Sequence, residues 1–545
     1  MRAPTVPIAL TAVLLASGCG AASGEDAEDA AGVTTSAPDA RLTLVADEDP
    51  VASAASASRA LFDTADVVVV ARDGDAAGTL LGASAATGLG VPLLLEPSGA
   101  GAADALTTEL ERLGTTTVLA VGEAEGGGGE GGPEVVAVPA DPDAVAGATG
   151  LELGEVQQVD DGAATAAVAE LDPGQPAALQ PAGAAPAAAG EDAGELPAVE
   201  RAEHLEDTLV VTTGDPGALA GVATARAAGA RVQLTGGTDP RGSAELVELM
   251  TEQEPQTVVA LGAGFAAEEG LDWKLDAAAT GAQLPGGGQL LFPGRMMVAL
   301  YGSTEGAALG VLGEQDLEAS IERARSTAAP YEELVDMPVV PAFEIIVTVA
   351  SSVAGPDGNY STEQPVEAVR PWVEAAGEAG LYVVLDLQPG RTDFRTQAEQ
   401  YRSLLELPHV GLALDPEWRL RPDQVHLQQI GQVSIDEVNE VVTWLADLTR
   451  ANDLPQKLLV LHQFQVRMIP ERERLDTSRD ELALMVHVDG QGPQPAKQDT
   501  WRVLRQTEPD EVAWGWKNFY DEDLPMLTPE QTVAVEPRPD FVSYQ

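Results

Sequence analysis

Short, continuous apolar runs recur along the first half of the chain, and the stretches between them favour helices. The runs at residues 67–70, 91–95 and 118–121 consist mostly of valine and leucine. Such runs, alternating with helices, are typical of a parallel sheet that is covered on both faces. The same order recurs about 140 residues later, from 209–211 to 258–261. The sequence therefore predicts an internally duplicated, flavodoxin-like parallel α/β region over residues 41–265.

Two segments of this region are too poor in bulky side chains to contribute to a core. Residues 123–133 (EAEGGGGEGGP) are mostly glycine and acidic residues, and residues 161–196 are rich in alanine, proline and glycine. Both are predicted to be loops or linkers. The glycines at 126–129 lack the Lys-Ser/Thr pair and the following helix that a phosphate-binding loop requires, so no such loop is predicted.

The second half alternates apolar runs with amphipathic helices, clearest at residues 434–450, where apolar residues follow the 3.6-residue period. The predicted strands occupy residues 296–301, 342–349, 381–387, 410–414, 458–464, 482–488 and 512–516. This alternation predicts a C-terminal (β/α)₈ TIM-type barrel over residues 286–535, with one strand unrecognised. A doubly wound open sheet is the alternative.

Most of the predicted strands of this half end in polar or ionisable side chains. In a barrel, the carboxyl ends of the strands open at one mouth, where enzymes of this fold carry their chemistry. The site residues predicted on this basis, with Glu344 inside its strand, are Tyr301, Glu344, Asp386, Gln388, Asp415, Glu417, His462, His487, Asp489, Trp516 and Lys517. Each has a structural alternative, because strand-end aspartates often cap helices and buried histidines are often only hydrogen-bonded.

The segment 411–418 (GLALDPEW) carries the most specific chemical signal. Asp415 and Glu417 are two residues apart, so on an extended chain both carboxylates point to the same side. Two acids in a closed site do not both ionise freely, and the one with the raised pKa is suited to act as a general acid. Glycoside hydrolysis needs such a pair. We therefore predict Glu417 as the acid and Asp415 or Asp386 as its partner, with Asp489 orienting the acid or holding sugar hydroxyls.

The other predicted site residues are expected to bind substrate: Tyr301, Glu344, Gln388, His462, His487, Trp516 and Lys517. Aromatic residues near the strand ends, such as Trp418 and Phe519, provide flat faces on which sugars stack, although such rings are also common in cores. For Lys517 the alternative is neutralisation of neighbouring acids. Neither a metal nor a cofactor is predicted, because no HxH or HExxH spacing occurs. A metal-dependent hydrolase is an alternative, since barrel hydrolases use ligand types such as those of His462, His487, Asp386, Asp415 and Asp489.

The beginning of the chain has the pattern of an export signal. A basic start at Met1-Arg2 precedes an apolar run at residues 6–15 and the small residues 16–18, which lead to Cys19, the one cysteine of the chain. The run is too short to span a bilayer. The segment resembles the lipobox of bacterial lipoproteins. That resemblance implies a signal peptide at residues 1–18, acylation of Cys19 and anchoring to the outer face of the cell membrane. The alternative is an ordinary cleaved signal peptide with an incidental cysteine.

Residues 19–40 are small and acidic, which predicts a flexible tether.

The composition of the whole chain limits the classes of molecule that it can bind. The whole chain has 30 Lys and Arg residues against 87 Asp and Glu residues, a net charge of −57. Such a surface disfavours nucleic acid and anionic headgroups, both of which need a basic face on the protein. A cell-wall glycan is compatible with it, provided that binding does not rest on attraction to an anionic polymer.

Two further resemblances suggest a function. Both copies of the N-terminal unit, with "GVPLLL" and "VLAVG" in one and "GARVQL" and "VVALG" in the other, resemble the cell wall-binding type 2 repeat of exported Gram-positive proteins. The Asp415-Pro416-Glu417 segment resembles the strand ends of barrel glycosidases and lysozyme-type wall hydrolases. These resemblances imply an envelope carbohydrate-active hydrolase on a wall-associated module. The alternative is a non-catalytic envelope protein that binds a glycan.

Overall fold

The computed structural model describes residues 31–99, 103–127, 131–183, 194–507 and 512–545. The predicted signal peptide, Cys19 and the first part of the predicted tether lie outside these residues. The strands of the N-terminal region are β1 (Val33–Thr35), β2 (Leu42–Val45), β3 (Phe62–Ala65), β4 (Val67–Arg72), β5 (Leu93–Glu96), β6 (Thr117–Val121), β7 (Glu134–Val138), β8 (Val156–Val159), β9 (Ala178–Pro181), β10 (Thr208–Thr212), β11 (Arg231–Leu234) and β12 (Thr257–Leu261).

The helices of this region lie between or beside those strands. They are α1 (Pro50–Leu61), α2 (Ala76–Leu89), α3 (Ala103–Leu113), α4 (Pro142–Thr149), α5 (Ala164–Ala169), α6 (Leu219–Ala227), α7 (Ala244–Gln253) and α8 (Leu271–Ala279). Several begin at an aspartate whose side chain accepts a backbone N–H of the first turn, as Asp49 does for α1 and Asp75 for α2. Helix α8 packs its Leu271 and Leu275 into the same core as α7, so the region continues beyond the predicted boundary at residue 265.

Two four-stranded parallel sheets have the same spatial order. The first runs β5-β4-β6-β7, and the second runs β11-β10-β12-β2. The fourth position of the second sheet is filled by β2, which precedes the whole first sheet in the chain. Because β2 pairs with β12, the start of the region is tied to its end.

Two segments that were predicted to be unstructured form regular elements. The tether prediction is wrong from residue 31 onward, because β1 pairs antiparallel with β3 and buries Val33. The linker prediction is wrong for residues 164–181, where α5 and β9 pack onto the core and β9 pairs with β8. Val168 and Leu179 are fully buried there, so a few apolar residues among small ones are enough to hold a short helix and a short strand.

The C-terminal region is a closed barrel of eight parallel strands, as predicted. Its strands are β13 (Met296–Gly302), β14 (Val339–Ala350), β16 (Tyr382–Leu387), β17 (Val410–Leu414), β18 (Lys457–Gln463), β19 (Leu482–Val488), β20 (Ala513–Asn518) and β21 (Phe541–Tyr544), while β15 (Ser361–Glu363) pairs antiparallel with the end of β14. The strand that the sequence did not reveal is β21, which lies beyond the predicted end at residue 535. It pairs with both β13 and β20, and closure excludes the open-sheet alternative.

Helices cover the outside of the barrel, and side chains fill its inside. The helices are α9 (Leu317–Glu332), α10 (Val366–Glu378), α11 (Phe394–Gln400), α12 (Arg402–Leu405), α13 (Ile435–Ala451), α14 (Gln494–Leu504) and α15 (Pro529–Val533). The lower interior is an apolar cluster that includes Met297, Tyr382, Val460, Met485 and Phe541. The barrel is therefore packed with apolar side chains near the amino ends of its strands.

Candidate active site at the barrel mouth

Strand alternation places one layer of polar side chains above the apolar interior. Residues two apart on a strand point to the same face, so Tyr301 follows the inward Ala299, and His462 follows the inward Val460. The same phase brings Glu344, Asp386, Asp415, His487 and Lys517 into the barrel. Seven strands thus contribute buried polar groups to one layer, which is the convergence that the sequence predicted.

Trp516 does not belong to this layer, and its predicted role in binding substrate is wrong. It is adjacent to Lys517 on β20, so it points outward when Lys517 points inward. Its ring packs edge-on against Trp501 of α14 at 5.5 Å between centroids, and its Nε1 donates to Asn518 Oδ1 at 2.9 Å. The alternation rule applied to Lys517 identifies this error from the sequence alone.

His462 lies at the centre of the polar layer. Its Nε2 is 2.7 Å from Glu344 Oε1 and 3.8 Å from Asp386 Oδ1, and its Nδ1 is 3.2 Å from Asp489 Oδ2. Although burial alone favours the neutral ring, the charge of Glu344 and the hydrogen bonds to Asp489 and Glu344 raise the pKa of His462 well above its ordinary value. The ring is therefore a cation that contacts acids from β14, from β16 and from the segment that follows β19.

A cavity of about 660 Å³ opens above this layer. Of the predicted site residues, Tyr301, Gln388, Asp415, Glu417, Asp489 and Lys517 line it, together with Trp418 and Phe519. Glu344, Asp386, His462 and His487 do not line it and are buried beneath. The predicted residues thus form an upper set that lines the cavity and a lower set that is buried beneath it. The lower set contacts the upper set, since Asp386 bonds Tyr301 and His462 bonds Asp489.

The loops supply lining residues that strand-based reasoning did not find. His426 stacks on Trp418 with 4.6 Å between ring centroids, and Phe464, Gln465 and Gln491 complete the wall of the cavity. They follow β17, β18 and β19 by a variable number of residues, and no spacing in the sequence identifies them. Ser543 was missed because β21 was missed; it bonds His487 Nε2 at 2.9 Å.

Asp415 and Glu417 are not presented as the sequence suggested. Pro416–Trp418 form a 3₁₀ turn, and Asp415 Oδ1 accepts the backbone N–H of Glu417 at 3.1 Å, so the two acids are not on an extended strand. Asp415 is buried, and burial together with the neighbouring Asp386 raises its pKa well above the ordinary value. The raised pKa favours the protonated form of Asp415, which suits this residue less well than an ionised acid to the role of nucleophile or base.

Two acids that line the cavity have pKa values shifted in opposite directions. Burial and the nearby Asp489 raise the pKa of Glu417 to about 7. Burial opposes ionisation of Asp489 too, but the hydrogen bond and charge of His462 outweigh it and lower the pKa of Asp489. Glu417 is therefore available as a proton donor near neutral pH while Asp489 is an anion.

The two remaining groups of the lower set have different environments. Asp386 accepts the hydroxyl of Tyr301 at 3.0 Å, and burial raises its pKa to about 6. Burial and the cation of His462 lower the pKa of His487 well below its ordinary value, so this ring is neutral. His487 does not line the cavity, and its Nε2 bonds Ser543 of β21 within the barrel.

Several buried polar atoms of this layer have no hydrogen-bond partner among the described residues: Glu344 Oε2, Asp386 Oδ1, His487 Nδ1 and Asp489 Oδ1. Buried polar atoms are normally paired, so a cluster of exceptions marks a site for a ligand or for water. In the part of the chain that the structure describes, no group of three or more His, Cys, Asp or Glu side chains is arranged to hold a metal ion. Across the same residues, no helix is long and apolar enough to cross a bilayer.

No family model and no curated protein sequence matches this chain. Among solved structures, it is similar to one described as Cwp6 from Clostridium difficile, with 12% sequence identity and a TM-score of 0.30. The likeness covers 65% of this chain and 66% of that chain, just under two thirds of its length.

Proposed function

We propose that this protein is a lipid-anchored glycoside hydrolase of the cell envelope, with Glu417 as the general acid and Asp489 as its carboxylate partner. One observation carries the proposal: both side chains line the same cavity, and the pKa is raised to about 7 for Glu417 and lowered for Asp489. Glycoside hydrolysis uses one protonated and one ionised carboxyl group. This pairing replaces Asp415 and Asp386, the partners that the sequence suggested.

The chemistry follows from the two protonation states. Glu417 transfers its proton to the glycosidic oxygen as the bond to the anomeric carbon breaks, so the leaving sugar departs as an alcohol. Asp489 supplies the negative charge that the cationic transition state requires, either as nucleophile or as the base that activates water. In both cases the oxygen that reacts is Oδ1, since Oδ2 is held by His462.

The neighbouring groups favour the ionised form of Asp489 and the protonated form of Glu417. His462 holds Asp489 ionised, and Asp489 in turn disfavours ionisation of Glu417. Asp415 orients the turn that carries Glu417, because its carboxyl oxygen accepts the N–H of that residue. Trp418 and Phe519 line the cavity and provide flat apolar faces that suit sugar rings.

Envelope location is supported by the sequence and by the N-terminal architecture. The order of basic, apolar and small residues before Cys19 supports export and acylation. Two parallel sheets of the same strand order support a duplicated, flavodoxin-like unit and thereby the resemblance to wall-binding repeats. Replacing Cys19 by serine is expected to move the protein from the membrane fraction to the soluble fraction; retention in the membrane would contradict the lipid anchor.

The hydrolase is tested with the full chain in a non-glycosidic detergent. Purified wall material and common polysaccharides are incubated with the wild type, with Glu417→Gln and with Glu440→Gln, and new reducing ends are measured. Glu440 is an exposed residue of α13 and is the matched control. We expect Glu417→Gln to lower kcat by about 10²–10⁴-fold and Glu440→Gln to leave it unchanged. Binding without any hydrolysis by the wild type would instead identify a glycan-binding protein.

A further inference from the structure

The chain contains four lysines, Lys274, Lys457, Lys497 and Lys517, and every one of them is buried, with at most 3% of its surface exposed. Lysine is among the residues that are least often buried, and it is buried almost always with a partner. In this acidic protein the surface cations are arginines, and each lysine has an interior position. The groups that contact each buried lysine therefore indicate the role of that lysine.

Three of the lysines donate hydrogen bonds to acceptors within the protein. Lys274 Nζ bonds Asp480 Oδ2 at 2.6 Å, and Lys457 Nζ bonds the carbonyls of Leu407 and Val410. Lys497 Nζ bonds Asp523 Oδ2 and the carbonyl oxygen of Lys517, each at 2.6 Å. These acceptors offset part of the loss of water, although burial still lowers the pKa of Lys497, and that of Lys457 to about 7.

Lys517 differs from the other three. Its Nζ lies 3.3 Å from the centre of the Tyr301 ring and 5.4 Å from that of Phe519, and it makes neither an ion pair nor a hydrogen bond with any residue that the structure describes. An aromatic face attracts a cation but does not replace hydrogen-bond acceptors for its three N–H groups. Because Lys517 lines the cavity, those acceptors are expected to come from a ligand.

We propose that Lys517 is a specificity-determining residue that donates hydrogen bonds to hydroxyl oxygens of an uncharged sugar ring, so that the substrate is a neutral glycan. This inference rests on the proposed function, which places a glycan in the cavity. A hydroxyl accepts from Lys517 and at the same time can donate to an acid, and Asp489 Oδ1 is an acceptor without a partner on the same cavity. A carboxylate on the ligand offers no such donor.

The charges around the cavity also oppose an acidic ligand. Glu417, Asp489 and Asp415 line the cavity with Lys517, while Asp386 and Glu344 lie beneath beside His462. A ligand carboxylate would gain one ammonium while facing the Asp489 anion, in a protein of net charge −57. A neutral sugar keeps the hydrogen bond to Lys517 without that repulsion.

The test measures binding of oligosaccharides to the full chain by calorimetry. The neutral panel contains chito-, cello-, manno- and xylo-oligosaccharides, and the acidic panel contains oligogalacturonates. The variants are Lys517→Met and the matched control Lys457→Met, which replaces a buried lysine at the other end of the barrel. We expect the wild type to bind a neutral sugar, Lys517→Met to bind it about 10- to 100-fold more weakly, and Lys457→Met to bind it within about twofold.

Three outcomes would overturn the inference: tighter binding of oligogalacturonates than of any neutral sugar, unchanged affinity in Lys517→Met, or no binding of either panel. If Lys517→Met does not fold, Lys517→Gln takes its place, and the ammonium ¹⁵N signals of the wild type are followed as sugar is added, where one of four is expected to shift. Binding of a neutral sugar that is never cleaved would reject the hydrolase and leave the role of Lys517 intact.

Discussion

Both halves of the molecule place aspartates just beyond the ends of parallel strands, but they use them differently. In the N-terminal region, Asp75 follows β4, and both of its oxygens accept backbone N–H groups, from Gly78 at 3.0 Å and from Glu123 at 2.9 Å. In the barrel, Asp489 follows β19, accepts one bond from His462, and has an oxygen without a partner. The backbone thus holds both oxygens of Asp75, whereas no residue of the described chain holds Oδ1 of Asp489.

The comparison shows that residue type and position do not by themselves separate structural from functional acids. The number of hydrogen bonds already made within the protein separates them better. Asp415 lies between the two cases, because one oxygen accepts the N–H of Glu417 as a helix cap would, yet the residue lines the cavity. Substitutions at matched positions of the two regions therefore test the distinction directly.

The largest effect is expected when the same substitution is made at the two strand-end aspartates. Asp489→Asn removes the anion opposite the transition state and is expected to lower kcat by about 100-fold or more, whereas Asp75→Asn is expected to leave kcat unchanged. The measurement is the rate of reducing-end release on the best substrate. Similar losses in both variants would mean that the half-bonded state of Asp489 has no catalytic significance.

A second prediction concerns whether the two regions are separate folding units. Trp273 of α8 lies between the guanidinium groups of Arg241, at 4.7 Å from its ring centre, and Arg450 of the barrel helix α13, at 4.6 Å. Trp273→Ala removes this buried contact and is expected to cost about 3 kcal/mol. We expect calorimetry to show two unfolding transitions in the variant where the wild type shows one.

The control for this prediction is a tryptophan that packs against the barrel core. Trp372 of α10 packs against Phe343 with 6.0 Å between ring centroids. Trp372→Ala is expected to lower the unfolding temperature without splitting the transition. If Trp273→Ala also unfolds in one step, the regions are coupled through other contacts, such as the Lys274–Asp480 ion pair.

A third prediction concerns pH. Glu417 must be protonated, and its pKa is about 7, so activity is expected to fall as pH rises through about 7. Asp489 must be ionised, and its lowered pKa keeps it so down to acidic pH. His462 lowers the pKa of both groups, so His462→Gln is expected to move both limbs of the profile upward by about one pH unit.

The control for the pH profile is a histidine outside the polar layer. His409 bonds the carbonyl of Val373 at 3.0 Å on the outer side of the barrel, and His409→Gln is expected to leave both limbs in place. A loss of rate in His462→Gln with unmoved limbs would show that the imidazolium holds the fold of the site and does not set the protonation of the two acids.

Much of the site could be predicted from the sequence because parallel strands make their carboxyl ends meet. Tyr301, Asp386, Asp415, His462 and Lys517 were identified by that rule and do lie in one layer. The rule does not reveal which acids pair, since this depends on distances across the barrel. Proximity in sequence predicts Asp415 as the partner of Glu417. The 3₁₀ turn at Pro416, however, gives the two carboxyl groups a different relative orientation from the one that an extended strand would give.

Short elements were the other source of error. β21 has four residues, and β1 has three, so neither shows an apolar run that stands out from a loop. Their stability comes from pairing with strands that are already placed, which is a tertiary effect and is not encoded in local sequence. The low-complexity segment that contains α5 and β9 was misassigned for the same reason.

The smallest effect is expected from removing the cap of α2. Asp75→Ala leaves the N–H groups of Gly78 and Glu123 without their acceptor, and we expect a loss of about 1 kcal/mol in the free energy of unfolding. Chemical denaturation measures this loss, and Asp75→Asn, whose amide oxygen still accepts one bond, is expected to lose less. The hydrolytic rate of both variants is expected to equal that of the wild type, because Asp75 holds backbone groups of the N-terminal region and does not line the cavity at the barrel mouth. A change in rate at Asp75 without a change in stability would reverse the assignment of roles to the two regions.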